Sequence, residues 1–176
     1  MNETRQPSML VPALIGGGVA GFVSSIPGLN LLNCACCSLV IGGGLLAAFL
    51  QSKNCRQAGA PFSAGSGALV GLVSAVAFAV TVTVVGTLIR LITPTGDPAQ
   101  MLAMFREQGV EVPPVIETFL QGMSGGPGFA LWLGVGFLLN LVVGAIFSPI
   151  GGLLGGMIFR YEPAPSGPPP APPAGV

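Results

Sequence analysis

Apolar and small residues run almost unbroken through four stretches of the chain, at about 9–26, 31–50, 66–92 and 128–159. A helix needs about 20 such residues to cross the hydrocarbon of a bilayer. The first stretch stops at Pro27-Gly28, and "PGLN" leaves so little chain before the second that the two form an antiparallel hairpin. The fourth is longer than a crossing requires, so it tilts, protrudes or bends. Ser148-Pro149 is placed to kink it, because proline removes a backbone donor and crowds the preceding turn.

Between the third and fourth stretches the pattern changes to a short helical period. "TGDPAQMLAMFREQG" has Asp97 as N-cap, Pro98 in the first turn and Gly109 as stop. Met101, Leu102 and Phe105 fall on one face. "VPPVIETFLQGM" repeats this logic with Pro114 first, Val115, Ile116, Phe119 and Leu120 apolar, and Gly122 last. The pattern predicts an all-α polytopic membrane protein with four transmembrane helices and two short amphipathic helices between spans three and four. The transmembrane domain covers 1–160, with an amphipathic hairpin at 97–122 that lies on the outer membrane surface or caps the bundle. Residues 161–176, "YEPAPSGPPPAPPAGV", read as a proline-rich disordered tail with polyproline II content.

Charge sharpens this picture. The 176 residues carry six basic and six acidic side chains, where a soluble domain carries roughly a quarter charged residues. Lipid is therefore the expected solvent and the first partner. Four basic residues (Arg5, Lys53, Arg56, Arg160) fall on the side of the termini and the 51–62 loop, and two (Arg90, Arg106) on the other. By the positive-inside rule both termini are cytoplasmic. The first apolar stretch is expected to stay as a span rather than leave as a signal peptide. Glu3 balances Arg5, and no small-residue cleavage site follows. The absence of histidine removes imidazole ligation and His-based acid–base catalysis. No basic stripe points to nucleic acid.

The residues Asp97-Pro98, "FREQG", Ile116-Glu117, "MSGGPGFAL" and "GFLLNLVVGAIFSPIGGLLGGMIFR" resemble a family of small uncharacterised bacterial four-span integral membrane proteins. That family joins spans three and four by an outer amphipathic hairpin and ends on a glycine-rich span. The resemblance covers about residues 66–160, and "IPGLNLLNCACC" also looks like the span 1–2 turn of small bacterial membrane proteins. It implies a fold and a bacterial inner-membrane location, and no activity.

Small residues recur at every fourth position: Gly17, Gly21 and Ser25; Gly43 and Ala47; Ser63, Gly67, Gly71, Ala75 and Ala79; Gly144, Ser148, Gly152 and Gly156. Such ladders let helix backbones approach closely, which is what holds helices together in lipid. Asn140, Ser74 and Thr81 are candidate intramembrane polar contacts, either to a neighbouring helix or to a substrate or ion. Arg90 snorkels to the outer interface or pairs with a carboxylate of the hairpin.

Three of four cysteines fall in "NCACC". On a helix Cys34 and Cys37 share a face and are a candidate disulfide, while Cys36 points away and Cys55 lies across the membrane. Four thiolates cannot converge on a metal, and free cysteine packs as a small apolar residue.

These features predict a non-enzymatic protein without cofactor or metal. It is expected to act as a small structural, accessory or assembly subunit that packs against itself or other membrane-protein chains. The alternative is a small channel, carrier or permeability factor with a cleft lined by small residues. The span interiors hold no charges, which argues against proton coupling.

Overall fold

The computed structural model describes residues 7–26, 37–92, 98–109, 112–122 and 126–163. Its elements are six helices: α1 (Leu10–Ser24), α2 (Ser38–Gln57), α3 (Ala64–Ile92), α4 (Pro98–Glu107), α5 (Pro114–Gly122) and α6 (Gly126–Ile158). The fold is all-α, with one isolated antiparallel bridge between Phe62 and Tyr161. Among the described residues, two helices are long and apolar enough to cross a membrane, over Ala64–Ile89 and Gly128–Ile158.

The four long helices pack side by side in a ring. α1 lies against α2 and α3, α6 lies against α2 and α3, and α2 and α3 also touch across the middle. At 1.5 Å per residue, α1 is about 22 Å long, α2 about 30 Å, α3 about 43 Å and α6 about 50 Å. α3 and α6 therefore run on beyond α1 and α2 as a two-helix projection.

The first turn of α1 tolerates Pro12 because its missing N–H has no helical partner there in any case. Pro149 is a different case. It lies inside α6 and cannot donate to the Ala145 carbonyl, yet the helix continues through it to Ile158.

The second helix departs from the expected 31–50. It starts at Ser38 and runs through the 51–57 stretch that reads as loop. Two local causes are visible. Cys37 has φ 50° and so stands outside the helix at its start. At the other end the helix stops at a Schellman motif around Gly59, with φ 64°. Gly59 N–H donates to Arg56 O at 3.3 Å and Ala60 N–H to Cys55 O at 2.9 Å. The polar stretch from Gln51 to Gln57 stays helical because Gln51, Ser52 and Cys55 are buried on its inner face.

α4 and α5 pack mainly on each other. Leu102 is buried, and an Arg106–Glu117 ion pair of 2.5 Å ties the two together. Met104, Phe105, Val115 and Ile116 remain exposed. Among the described residues the hairpin makes no broad contact with α1, α2, α3 or α6. Asp97, the expected N-cap, the Arg90 side chain and residues 164–176 of the tail lie outside the described residues.

The burial pattern runs opposite to that of a soluble protein. In α1 the buried positions are Pro12, Ala13, Gly16, Gly17, Ala20, Gly21 and Ser24. In α2 they are Val40, Gly43, Gly44, Ala47, Ala48, Gln51, Ser52 and Cys55. Large apolar side chains point outward instead: 32 of them are exposed among the described residues, including Leu14, Leu72, Val76, Leu139 and Leu154. So large an apolar surface marks contact with lipid or protein.

Candidate functional site

Two features of the molecule are built from specific residues: the glycine contacts between the long helices, and a recess where α3 and α6 outrun their neighbours.

Adjacent glycines serve different partners. A Cβ added at Gly16 would strike α2 at Gly43 O and Ala47 Cβ, the latter at 2.8 Å. One added at Gly17 would strike α3 at Ser74 O and at Ala77 Cβ, again at 2.8 Å. Gly43 faces Ala20 of α1 at 2.6 Å, and Gly44 faces Ser148 O and Gly152 N of α6. On α6, Gly151 and Gly155 face α2 at Ile41 O and Ala48 Cβ, and Gly152 and Gly156 face α3 at Gly67 O and Ala64 Cα. Successive residues on a helix are about 100° apart. Neighbours in a ring of four lie about a right angle apart as seen from any one helix. A glycine doublet thus admits two backbones at once.

Each glycine named from its spacing has a neighbour of this kind. Gly21 meets Thr81 of α3 at 2.8 Å, Gly71 meets Ser148 O at 2.5 Å, Gly144 meets Ala75 Cβ at 3.2 Å, and Gly67 meets Gly156 Cα at 2.9 Å. Sequence spacing alone missed Gly16, Gly44, Gly151 and Gly155. The signal was present in the runs "GGG" at 16–18 and 42–44 and the pairs at 151–152 and 155–156.

At the crossing of α3 and α6, Ser148 Oγ donates to Gly71 O at 2.8 Å, fully buried. Ser148→Ala removes this bond and leaves the Gly71 carbonyl without it. The expected cost is about 0.6–1 kcal/mol, a drop of about 2–4 °C in the thermal midpoint in mild detergent. An unchanged midpoint would refute the bond's contribution.

The other polar candidates do not converge. Ser74 is buried against α1, and its Oγ has no hydrogen-bond partner among the described residues. Thr81 packs on Gly21 of α1. Of the two contacts open to Asn140, a neighbouring helix or a substrate or ion, neither is made by its Nδ2, which donates to Gly136 O of its own helix at 2.8 Å.

Asn140 instead lines a recess of about 140 Å³ between α3 and α6. Thr83, Gly86 and Thr87 come from α3, and Trp132, Gly136 and Asn140 from α6, with Leu133 and Phe137 completing the wall. Thr83 Oγ1 donates to Ala79 O at 2.8 Å and Thr87 Oγ1 to Thr83 O at 2.6 Å.

The opposite end of the ring is closed by aromatic and basic residues. Phe62 and Tyr161 exchange backbone hydrogen bonds of 2.8 and 3.0 Å. Lys53 sits 4.6 Å above the Phe49 ring, Arg56 lies 5.7 Å from the Tyr161 ring, and Phe49 packs on Phe159 at 5.1 Å. Arg160 pairs with Glu162. Gln51, fully buried, donates to Pro7 O at 3.1 Å and to Cys55 Sγ at 3.7 Å. The Cys55 thiol lies beyond the apolar stretch that ends at Leu50. Burial pushes it up from its ordinary range, and the Gln51 bond offsets part of that.

Cys37 is a free thiol, half-buried against the Ala20–Val40–Phe78 cluster beside Val82 and Phe147. Its left-handed backbone removes the i, i+3 helical argument that put it on one face with Cys34, and Cys34 lies outside the described residues. Among the described residues no three of His, Cys, Asp and Glu gather as a metal site. Compared with protein-family models, with curated proteins and with solved structures, this chain matches none.

Proposed function

We propose that this chain is an integral membrane protein that crosses the bilayer four times and serves as a compact packing subunit, without chemistry of its own. One observation carries the reading: alanine, glycine and serine fill the interior while leucine, valine and isoleucine cover the outside. In water that arrangement has the wrong sign, because burial of apolar surface is what stabilises a soluble fold. In lipid the outward side chains meet a solvent like themselves, and close backbone packing holds the helices together. α1 and α2 cross as a shorter pair, with the Gln51–Gln57 end of α2 in the interface. α3 and α6 cross and project beyond.

The basic and aromatic end, with Lys53, Arg56, Arg160 and Tyr161, is the cytoplasmic interface of a bacterial inner membrane. Lys and Arg accumulate on that side, and Tyr and Trp favour both interfaces. Gly42 and Gly134 meet nothing within 4 Å of an added Cβ. They leave outward places where another helix can come close, as a subunit of a larger assembly needs.

A channel or carrier is the second reading, and the Thr83–Asn140 recess favours it. Against it, the middle of the ring is closed by backbone at Gly44, Gly71 and Ser148.

The test has two parts. Topology reporters at the C-terminus and after Gln57 are expected on the cytoplasmic side, and a reporter at Gln108 on the other. Finding all three on one side sinks the four-span reading. Native mass spectrometry from mild detergent is expected to show oligomers or co-purifying chains, and a monomer alone sinks the subunit role.

A further inference from the structure

The recess between α3 and α6 lies away from the glycine contacts that hold the ring together, and polar side chains of both helices line it. Its hydrogen-bond capacity is one-sided. Thr83 and Thr87 have spent their hydroxyl protons on Ala79 O and Thr83 O, and Asn140 has spent one amide proton on Gly136 O. What remains on these three residues is lone pairs on two hydroxyl oxygens, the Asn140 Oδ1 acceptor and one amide proton. Among the described residues no charged side chain lines the space. A group that donates hydrogen bonds finds partners there.

Size and depth narrow the ligand. About 140 Å³ is close to the roughly 150 Å³ cavity that holds one benzene ring. It has room for one small head group and not for a whole lipid. The depth argument rests on the four-span reading. The Ser148–Gly71 crossing lies about 10–16 Å from the basic end, counting back along α3 and α6 at 1.5 Å per residue, which is near mid-bilayer. Asn140 and Trp132 then lie about 12 and 24 Å further out, and Thr83 about 18 Å. The hydrocarbon half-thickness is about 15 Å. The recess thus runs from the edge of the hydrocarbon into the head-group layer, beyond the ends of α1 and α2.

We infer that this recess binds the hydroxyl-bearing head of a membrane amphiphile, with diacylglycerol the simplest glycerolipid of that kind. The hydroxyl donates to Thr87, Thr83 or Asn140, Gly86 and Gly136 leave space for the head, and Trp132 and Phe137 flank it. The acyl chains stay in the bilayer alongside the exposed apolar surface of α3 and α6.

Trp132 is the single tryptophan of the chain, so its emission reports this place alone. The full-length protein is reconstituted in phosphatidylcholine vesicles, and lipids brominated near the head-group end of their acyl chains are titrated in. Brominated diacylglycerol is expected to reach half-quenching at a mole fraction about fivefold lower than brominated phosphatidylcholine, the effect of about one extra hydrogen bond. A brominated sterol alcohol separates the two sources of a hydroxyl. Quenching as strong as that by diacylglycerol supports recognition of the hydroxyl itself, and quenching as weak as that by phosphatidylcholine supports the glycerol head.

Gly136→Leu fills the recess, and its added Cβ meets nothing within 4 Å. It is expected to keep the wild-type thermal midpoint and to lose the difference between lipids. Thr87→Val is expected to shrink the difference and stands as the second variant. Equal quenching by diacylglycerol and phosphatidylcholine in the wild type overturns the site, as does a difference that survives both substitutions. Quenching by phosphatidylcholine alone already shows Trp132 in the bilayer, so the absence of quenching by any lipid overturns the membrane reading instead.

Discussion

Gly152→Leu disrupts the packing of the long helices, while Gly134→Leu on the same helix leaves it intact. A Cβ at Gly152 lies 3.0 Å from Gly67 C and from Gly71 Cα, and closer still to Gly67 O. All three are backbone atoms and cannot rotate aside. α3 has to move away from α6, and the Ser148–Gly71 hydrogen bond and the Gly67–Gly156 contact move with it. Overpacking of this kind costs about 1–3 kcal/mol or more, which for a chain of this size lowers the thermal midpoint by up to about 10 °C. Gly134 meets nothing within 4 Å, so the same side chain there is accommodated. Thermal midpoint and monodispersity in mild detergent measure the contrast. If the two variants behave alike, backbone contact at Gly152 does not hold α3 to α6.

The doublets explain why this packing was only half legible in the sequence. A search at every fourth position finds one ladder per helix, since it follows one face. The second ladder lies one residue along, at Gly16, Gly44, Gly151 and Gly155, and only matters because each helix has two neighbours. That number is a property of the ring, which no single stretch of sequence specifies. The helices themselves were legible, because apolar runs and the Asp-Pro, Pro and Gly punctuation fix their number and kind. The bounds of α2 were not. Hydropathy falls at Gln51, but helix formation there depends on what buries Gln51, Ser52 and Cys55, and those partners come from Pro7 and from the neighbourhood of Phe62. The recess was illegible for a similar reason. Asn140 stands out in the sequence as a polar group inside an apolar run, but it meets Thr83 and Thr87 only because α3 and α6 outlast the other pair. Ser74 and Thr81, named with Asn140 as polar groups inside the spans, sit on the α1 side of α3 instead.

Lysine at Val76 blocks membrane insertion, and lysine at Leu91 does not. The two side chains are on the same helix and both are exposed, 51% and 75%. Neither is buried within the protein, so a soluble fold predicts effects within about 0.5 kcal/mol at either position. Depth is what separates them. Val76 is 12 residues from the start of α3, about 18 Å along it and near the bilayer centre, whereas Leu91 is one residue from its end. A lysine at the centre of a membrane helix costs about 2.5–3.5 kcal/mol on insertion scales, partly relieved where the side chain snorkels. At the interface the ammonium reaches water and the cost largely disappears. The fraction of chain resistant to alkaline carbonate extraction measures this directly. It is expected to fall severalfold for Val76→Lys and to stay near wild type for Leu91→Lys. Equal retention of both variants would mean that the outward apolar surface of α3 does not face lipid, and the inverted interior would then require a protein partner in its place.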